Sequence, residues 1–127
     1  MEKTAVILFA HGARDPEWAN PMRRVRAALL ERAPDLRVEL AFLEFMNPDL
    51  ESCADNLAGE GYRAIFVLPM FIAQGGHLKN DVPRLMEQLR ARHPEVDFRV
   101  GPPVGEAEPI VVAMAGYALD LIRSIRP

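Results

Sequence analysis

The chain has 127 residues, 50% of them hydrophobic and 26% charged, with a formal net charge of −3. That balance describes one globular domain over residues 1–127, large enough to bury about two-thirds of its unfolded surface. It carries no basic footprint for nucleic acid; its single cysteine excludes an internal disulfide or a cysteine-built zinc site; and no apolar run approaches the ~20 residues of a membrane span.

Met1-Glu2-Lys3-Thr4 leads straight into a strand, so no secretory leader is expected and a cytoplasmic domain is predicted. Thr4–Ala10 is a near-continuous apolar run, the pattern of a strand buried on both faces of a parallel sheet. It empties into His11-Gly12-Ala13-Arg14-Asp15-Pro16. A helix follows with Trp18, Met22, Val25 and Leu29 on one stripe. Asp15-Pro16 and Asn20-Pro21 are both cap-then-proline signals for its start. Trp18 is expected to anchor this helix inward.

Leu36–Glu44 reads as the second strand. Asn47-Pro48-Asp49 then caps a helix carrying Leu50, Ala54 and Leu57 that stops near Gly59 and Gly61. Cys53 lies near that stripe and is expected to pack. Tyr62–Leu68 is the third strand, closed by Pro69, which brings no amide donor. The chain stays apolar through Met70, Phe71, Ile72 and Ala73, and Gly75-Gly76-His77 follows. Pro83 is expected in the first turn of the next helix, with Leu85, Met86 and Leu89 inward and His77 on the loop, or a short turn, before it. Val96–Val100 is a short fourth strand, and Glu108–Ile125 a last helix with Ile110, Met114, Ala118, Leu121 and Ile125 along one side. Four strands alternating with four helices predict an α/β fold: a single-domain, three-layer, flavodoxin-like parallel sheet, order 2-1-3-4, with helices on both faces.

That order brings three chemical side chains to one carboxyl edge, where sites of open α/β sheets lie. His11 follows the first strand, Glu44 ends the second and His77 follows the third. Two imidazoles and a carboxylate suit a divalent first-row metal with open coordination positions. Each also has a plain alternative: a turn-capping histidine at His11, a loop histidine at His77, the polar end of a strand at Glu44. Asp81, four residues after His77, is placed to orient its imidazole, or simply to begin a helix. Arg14 suits a substrate carboxylate. The apolar segment from Met70 and Phe71 to Gly75 and Gly76 reads as the wall of a pocket. His93, in Arg92-His93-Pro94, sits at a helix end where a positive ring suits the dipole. The loop after strand one lacks the glycines of a dinucleotide fingerprint and the lysine of a P-loop, so no nucleotide is expected. Ala10 stands where phosphohistidine phosphatases carry arginine, and no serine sits on a Gly-x-Ser-x-Gly elbow.

Taken together, His11-Gly12-Ala13-Arg14-Asp15-Pro16, Ala41-Phe42-Leu43-Glu44, Leu68-Pro69-Met70-Phe71 and Gly75-Gly76-His77 through Asp81-Val82-Pro83 resemble the short, single-domain sirohydrochlorin cobaltochelatases of the class II tetrapyrrole chelatases. Arg92-His93-Pro94 and Gly101-Pro102-Pro103 also fall at family positions, so the resemblance covers almost the whole chain. It implies insertion of Co²⁺ into sirohydrochlorin, or a close precorrin, in cobalamin biosynthesis. It implies metal handling by His11, His77 and Glu44 and pairing of short chains as homodimers; because imidazole can both hold the ion and accept a pyrrole proton, His11 and His77 are expected to be the essential catalytic pair. One departure is Glu106-Ala107-Glu108-Pro109, where relatives place His-Pro. Two histidines and a carboxylate do not by themselves choose among Co²⁺, Ni²⁺ and Fe²⁺. They would serve a non-catalytic metal or tetrapyrrole carrier equally well.

Overall fold

The computed structural model describes residues 3–125, apart from the side chain of His77. Strands β1 (Thr4–Ala10), β2 (Arg37–Phe42), β3 (Ala64–Pro69) and β4 (Asp97–Val100) form one parallel sheet in the order β2-β1-β3-β4, as expected. β1 is central: Val6 stands opposite Val38 on one side and Phe66 on the other. Its near-continuous apolar run follows from that position, since both its edges are paired and Ala5, Ile7, Leu8, Phe9 and Ala10 are buried.

One face of the sheet is completed by α2 (Leu50–Gly59) and α3 (Gly76–Arg92). Ala5, Ile7 and Phe9 of β1, Ile65 and Val67 of β3 and Phe98 of β4 form a single dry cluster with Leu50, Cys53, Leu57, Leu78, Val82, Met86 and Leu89. Asp49 caps α2 as its sequence predicts, its carboxylate accepting a 2.8 Å hydrogen bond from the Ser52 amide. Past the helix end, Gly61 takes φ = 93°, a conformation that costs other residues dearly.

The opposite face carries α1 (Asn20–Arg32) over the β2 side, where Ala10, Ala19 and Phe42 are buried against Met22 and Leu40. Both prolines open a helical turn, but only Asp15 caps one: Asn20 lies inside α1, behind Ala19, and its side-chain oxygen accepts from Arg23 instead. Asp15 accepts from the Glu17 amide at 3.0 Å and opens a 3-10 turn over Pro16–Ala19; Pro21 then stands in the first turn of α1. The extra turn shifts the helical phase, so Trp18 lies ahead of α1 and is 40% exposed rather than an inward anchor. Val25 of the expected stripe is also exposed, and no residue of α1 is buried outright.

α3 departs from expectation at its start. The helix begins at Gly76, after an extended Gly75, so His77 lies in its first turn and Pro83 falls in its interior. An interior proline removes one helical hydrogen bond and costs about 3 kcal/mol. The upstream turns bury Leu78 and Val82, 6% and 3% exposed, and each such side chain returns roughly 1.5–3 kcal/mol. Burial wins over the proline. The last helix, α4 (Glu108–Ile125), has the predicted bounds but buries none of its residues. Among the described residues no helix is long and apolar enough to cross a membrane.

Candidate functional site

The carboxyl edge is built by loops that prolong the sheet's pairing beyond its strands. The Leu43 amide donates to the Ala10 carbonyl at 2.9 Å, and the Glu44 amide to the His11 carbonyl at 3.0 Å. On the other side the Met70 amide donates to the Phe9 carbonyl at 2.7 Å. Three backbones therefore run abreast, with His11 between the segment bearing Glu44 and the segment bearing Met70 and Phe71. Glu44 itself stands two residues past β2, exposed in the loop rather than ending the strand as predicted. Gly12 makes this approach possible. It has φ = 89°, and a Cβ there would run into the Glu44 carbonyl oxygen.

His11 is exposed, with its ring centroid 4.6 Å from that of Phe71. Phe71 is 3% exposed and stands edge-on to Phe9 at 5.8 Å. The imidazole thus rests on a column of core rings that fixes its position while leaving its other side to solvent. The expected apolar wall is divided: Met70 packs into the α1-side cluster, Phe71 backs His11, and Ile72, at 68% exposure, is what faces solvent. A Cβ added to Gly75 or Gly76 would meet nothing within 4 Å, so neither glycine is demanded by packing and there is open room beside both. Asp81 is half-buried in α3, one turn beyond His77. The His77 side chain lies outside the described residues. Among the described residues, no three His, Cys, Asp or Glu side chains stand close enough to hold a metal ion.

Arg14 is exposed, its guanidinium carbon 5.1 Å from the centre of the Phe45 ring. Phe45 is a residue that sequence reasoning missed. It follows Glu44 directly, is 59% exposed, and takes φ = 68°, unusual for a bulky side chain. A positive φ on a non-glycine leaves no sequence signature. The only available hint was an apolar residue continuing the β2 run past its polar end.

On the other side, the segment after β4 follows the same edge. The Gly101 amide donates to Val67 and the Gly105 amide to Phe71, each at 3.0 Å, and a Cβ on Gly105 would collide with the Ile72 backbone. Two remaining candidates are structural. Burial pushes the Cys53 thiol up to about 12, so it is a packing residue. His93 caps the end of α3, with Nε2 2.6 Å from Asp55 Oδ1, in a network where Arg92 also reaches Asp55 at 2.6 Å and Glu51 at 2.7 Å.

Fold and edge together define a doubly wound α/β domain that offers an imidazole, a carboxylate and an aromatic–arginine pair at the carboxyl ends of its strands. The CbiX family model matches residues 5–118, and the chain belongs to that family. A protein of Sulfurisphaera tokodaii named sirohydrochlorin cobaltochelatase is 32% identical over 119 residues, 94% of each chain. A solved CbiX protein from Marinobacter aquaeolei superposes with a TM-score of 0.83 at 27% identity, covering 95% of this chain and 98% of that one. The sirohydrochlorin chelatase SirB of Bacillus subtilis, solved in complex with cobalt, superposes with a TM-score of 0.71 at 26% identity; this chain covers only 50% of it.

Proposed function

We propose that this protein is a tetrapyrrole chelatase that inserts Co²⁺ into sirohydrochlorin, or a close precorrin, in cobalamin biosynthesis. The observation that carries the reading is the His11–Glu44 pairing. An exposed imidazole and a carboxylate are held on hydrogen-bonded neighbouring backbones, in a chain whose relative of like length is named for this reaction. Insertion exchanges a hydrated divalent ion for two pyrrole N–H protons, so the site must both hold the metal and accept protons. Imidazole does both near neutral pH.

In this mechanism His11 and His77 are the essential pair, and Glu44 completes the metal's coordination or takes the second proton. Asp81 orients His77. Met70, Phe71, Gly75 and Gly76 form the side against which the macrocycle lies, with Ile72 as its exposed apolar contact. Arg14 meets a peripheral carboxylate of the substrate, and the Phe45 ring beneath it offers a stacking surface. Redox-neutral insertion requires no nucleotide. We place the reaction in the cytoplasm, where a single buried thiol stays reduced.

The working unit is a pair of chains. His11 stands on an open edge and lines neither the cleft between Pro83 and Pro103, beside Gln74, nor the one among Phe9, Leu43 and Leu85. A flat macrocycle needs a second wall. The SirB chain, twice as long, has room for one within a single polypeptide.

The test is anaerobic incubation of excess sirohydrochlorin with Co²⁺, Ni²⁺ or Fe²⁺ in turn, following the macrocycle's visible spectrum. Metallation far beyond one equivalent, fastest with cobalt and abolished by His11→Ala or His77→Ala in folded protein, is the expected result. A change that stops at one equivalent makes the protein a carrier. Faster turnover with nickel or iron reassigns the metal.

A further inference from the structure

Two histidine rings lie among the described residues, and they are held in different ways. His93 is held by carboxylates: its Nε2 lies 2.6 Å from Asp55 Oδ1 and its Nδ1 3.8 Å from Glu95, while the nearest aromatic ring, Phe98, is 6.2 Å away between centroids. His11 is held by a ring. Among the described residues nothing hydrogen-bonds to its imidazole, and its close contact is Phe71, with 4.6 Å between ring centroids and 53° between planes.

The difference bears on the metal. A histidine that ligates a metal commonly donates its second ring N–H to a carboxylate or carbonyl, which fixes both the orientation and the tautomer of the ring. An exposed imidazole without such a partner can occupy several staggered rotamers, and in most of them its nitrogens miss the metal. At His11 an aromatic ring takes the place of the acceptor. Contact between the rings restricts where the imidazole lies while engaging neither of its nitrogens.

Phe71 is itself firmly placed. The Met70 amide before it donates to the Phe9 carbonyl at 2.7 Å, the Gly105 amide donates to the Phe71 carbonyl at 3.0 Å, and the Phe9 ring stands edge-on at 5.8 Å. Phe71 is 3% exposed and the next residue, Ile72, is 68% exposed. Phe71 is therefore the last buried layer beneath the edge. So little of it reaches solvent that a macrocycle gains almost nothing by touching it, and its part in the wall is exerted through His11.

We propose that Phe71 is the positioning residue of His11, aiming the imidazole at the metal by ring contact instead of by a hydrogen bond. The inference rests on the chelatase reading and specifies how that site orients one of its ligands. Loss of the group that orients a metal-binding histidine costs about 10–100-fold in metal affinity or rate, and a misplacement of ~1 Å is enough to produce such a loss.

The experiment compares two substitutions in the full chain. Phe71→Leu removes the ring and keeps an apolar side chain. Phe98→Leu makes the same change in the same dry cluster, away from His11, and is the control. In the unsubstituted, metal-free protein the His11 ring protons, assigned by their loss in His11→Ala, should be shifted by the Phe71 ring current and show cross-relaxation to the Phe71 ring protons. Phe71→Leu should abolish that shift, weaken Co²⁺ binding about 10–100-fold and lower kcat to a similar extent, with KM for the tetrapyrrole unchanged. Phe98→Leu should lower stability and leave the His11 resonances, Co²⁺ affinity and kcat as they were. Absence of cross-relaxation in the unsubstituted protein overturns the proposal, whether or not the variants fold. So does an equal loss in the two variants, or a rise in KM with kcat retained. Turnover with none of the metals would remove the chelatase reading, while the proton resonances and Co²⁺ affinity would still decide the role of Phe71.

Discussion

The two faces of the sheet are almost equally apolar in sequence, yet their environments differ. Beneath α2 and α3, Ile7, Phe9, Ile65 and Val67 are at most 1% exposed. On the outer face, one residue along the same strands, Phe66 is 40% exposed and Leu68 only half-buried. Strand alternation thus specifies that both faces require cover. It does not specify which element, or which molecule, provides it. The completed face holds the chain together; the outer face leaves apolar surface in water.

Substitutions on the two faces should separate these roles. Phe9→Ala removes a ring that packs on Phe71 beneath His11 and should cost about 3–5 kcal/mol in chemical denaturation, at any protein concentration. An effect below ~1 kcal/mol would mean that the dry cluster is not the seat of stability. On the same side Asp49→Ala removes the cap of α2 and should cost about 1 kcal/mol. Asp55→Asn loosens the contact between α2 and the end of α3. Burial raises the Asp55 pKa, but hydrogen bonds from His93 and Arg92 outweigh it and hold the carboxyl below its usual value.

A depressed carboxyl stabilises the fold above its unfolded pKa and loses that contribution as pH falls through the folded one. Because the group is a third exposed, the loss in Asp55→Asn should stay under ~1 kcal/mol near neutrality. It should vanish toward acid pH in paired thermal melts. A difference that grew with acidity would contradict this assignment. The smallest effect is expected from Phe66→Ala in dilute protein, where its ring is already partly hydrated: less than ~1 kcal/mol. A larger cost would place Phe66 in the chain's own core.

Much of this was legible from the residues. The apolar runs and cap residues specified four parallel strands and the capped starts at Asp15 and Asp49, because these features depend on local chemistry and strand period; the order 2-1-3-4 was an expectation about topology that the structure matches. The convergence of His11 and Glu44 on one edge followed from that topology, and the backbone bonds between their loops bear it out. Three features were decided only by tertiary structure. Pro83 lies within α3 because burial of Leu78 and Val82 outweighs a local preference. Phe45 stands exposed at positive φ next to the point where Gly12 passes close to the Glu44 carbonyl, an approach between two loops that is distant in sequence. The stripe on α4 was visible as a pattern, but a pattern records only that a surface must leave water. Which surface it meets depends on where Gly105 directs the chain, and that is a property of the folded edge.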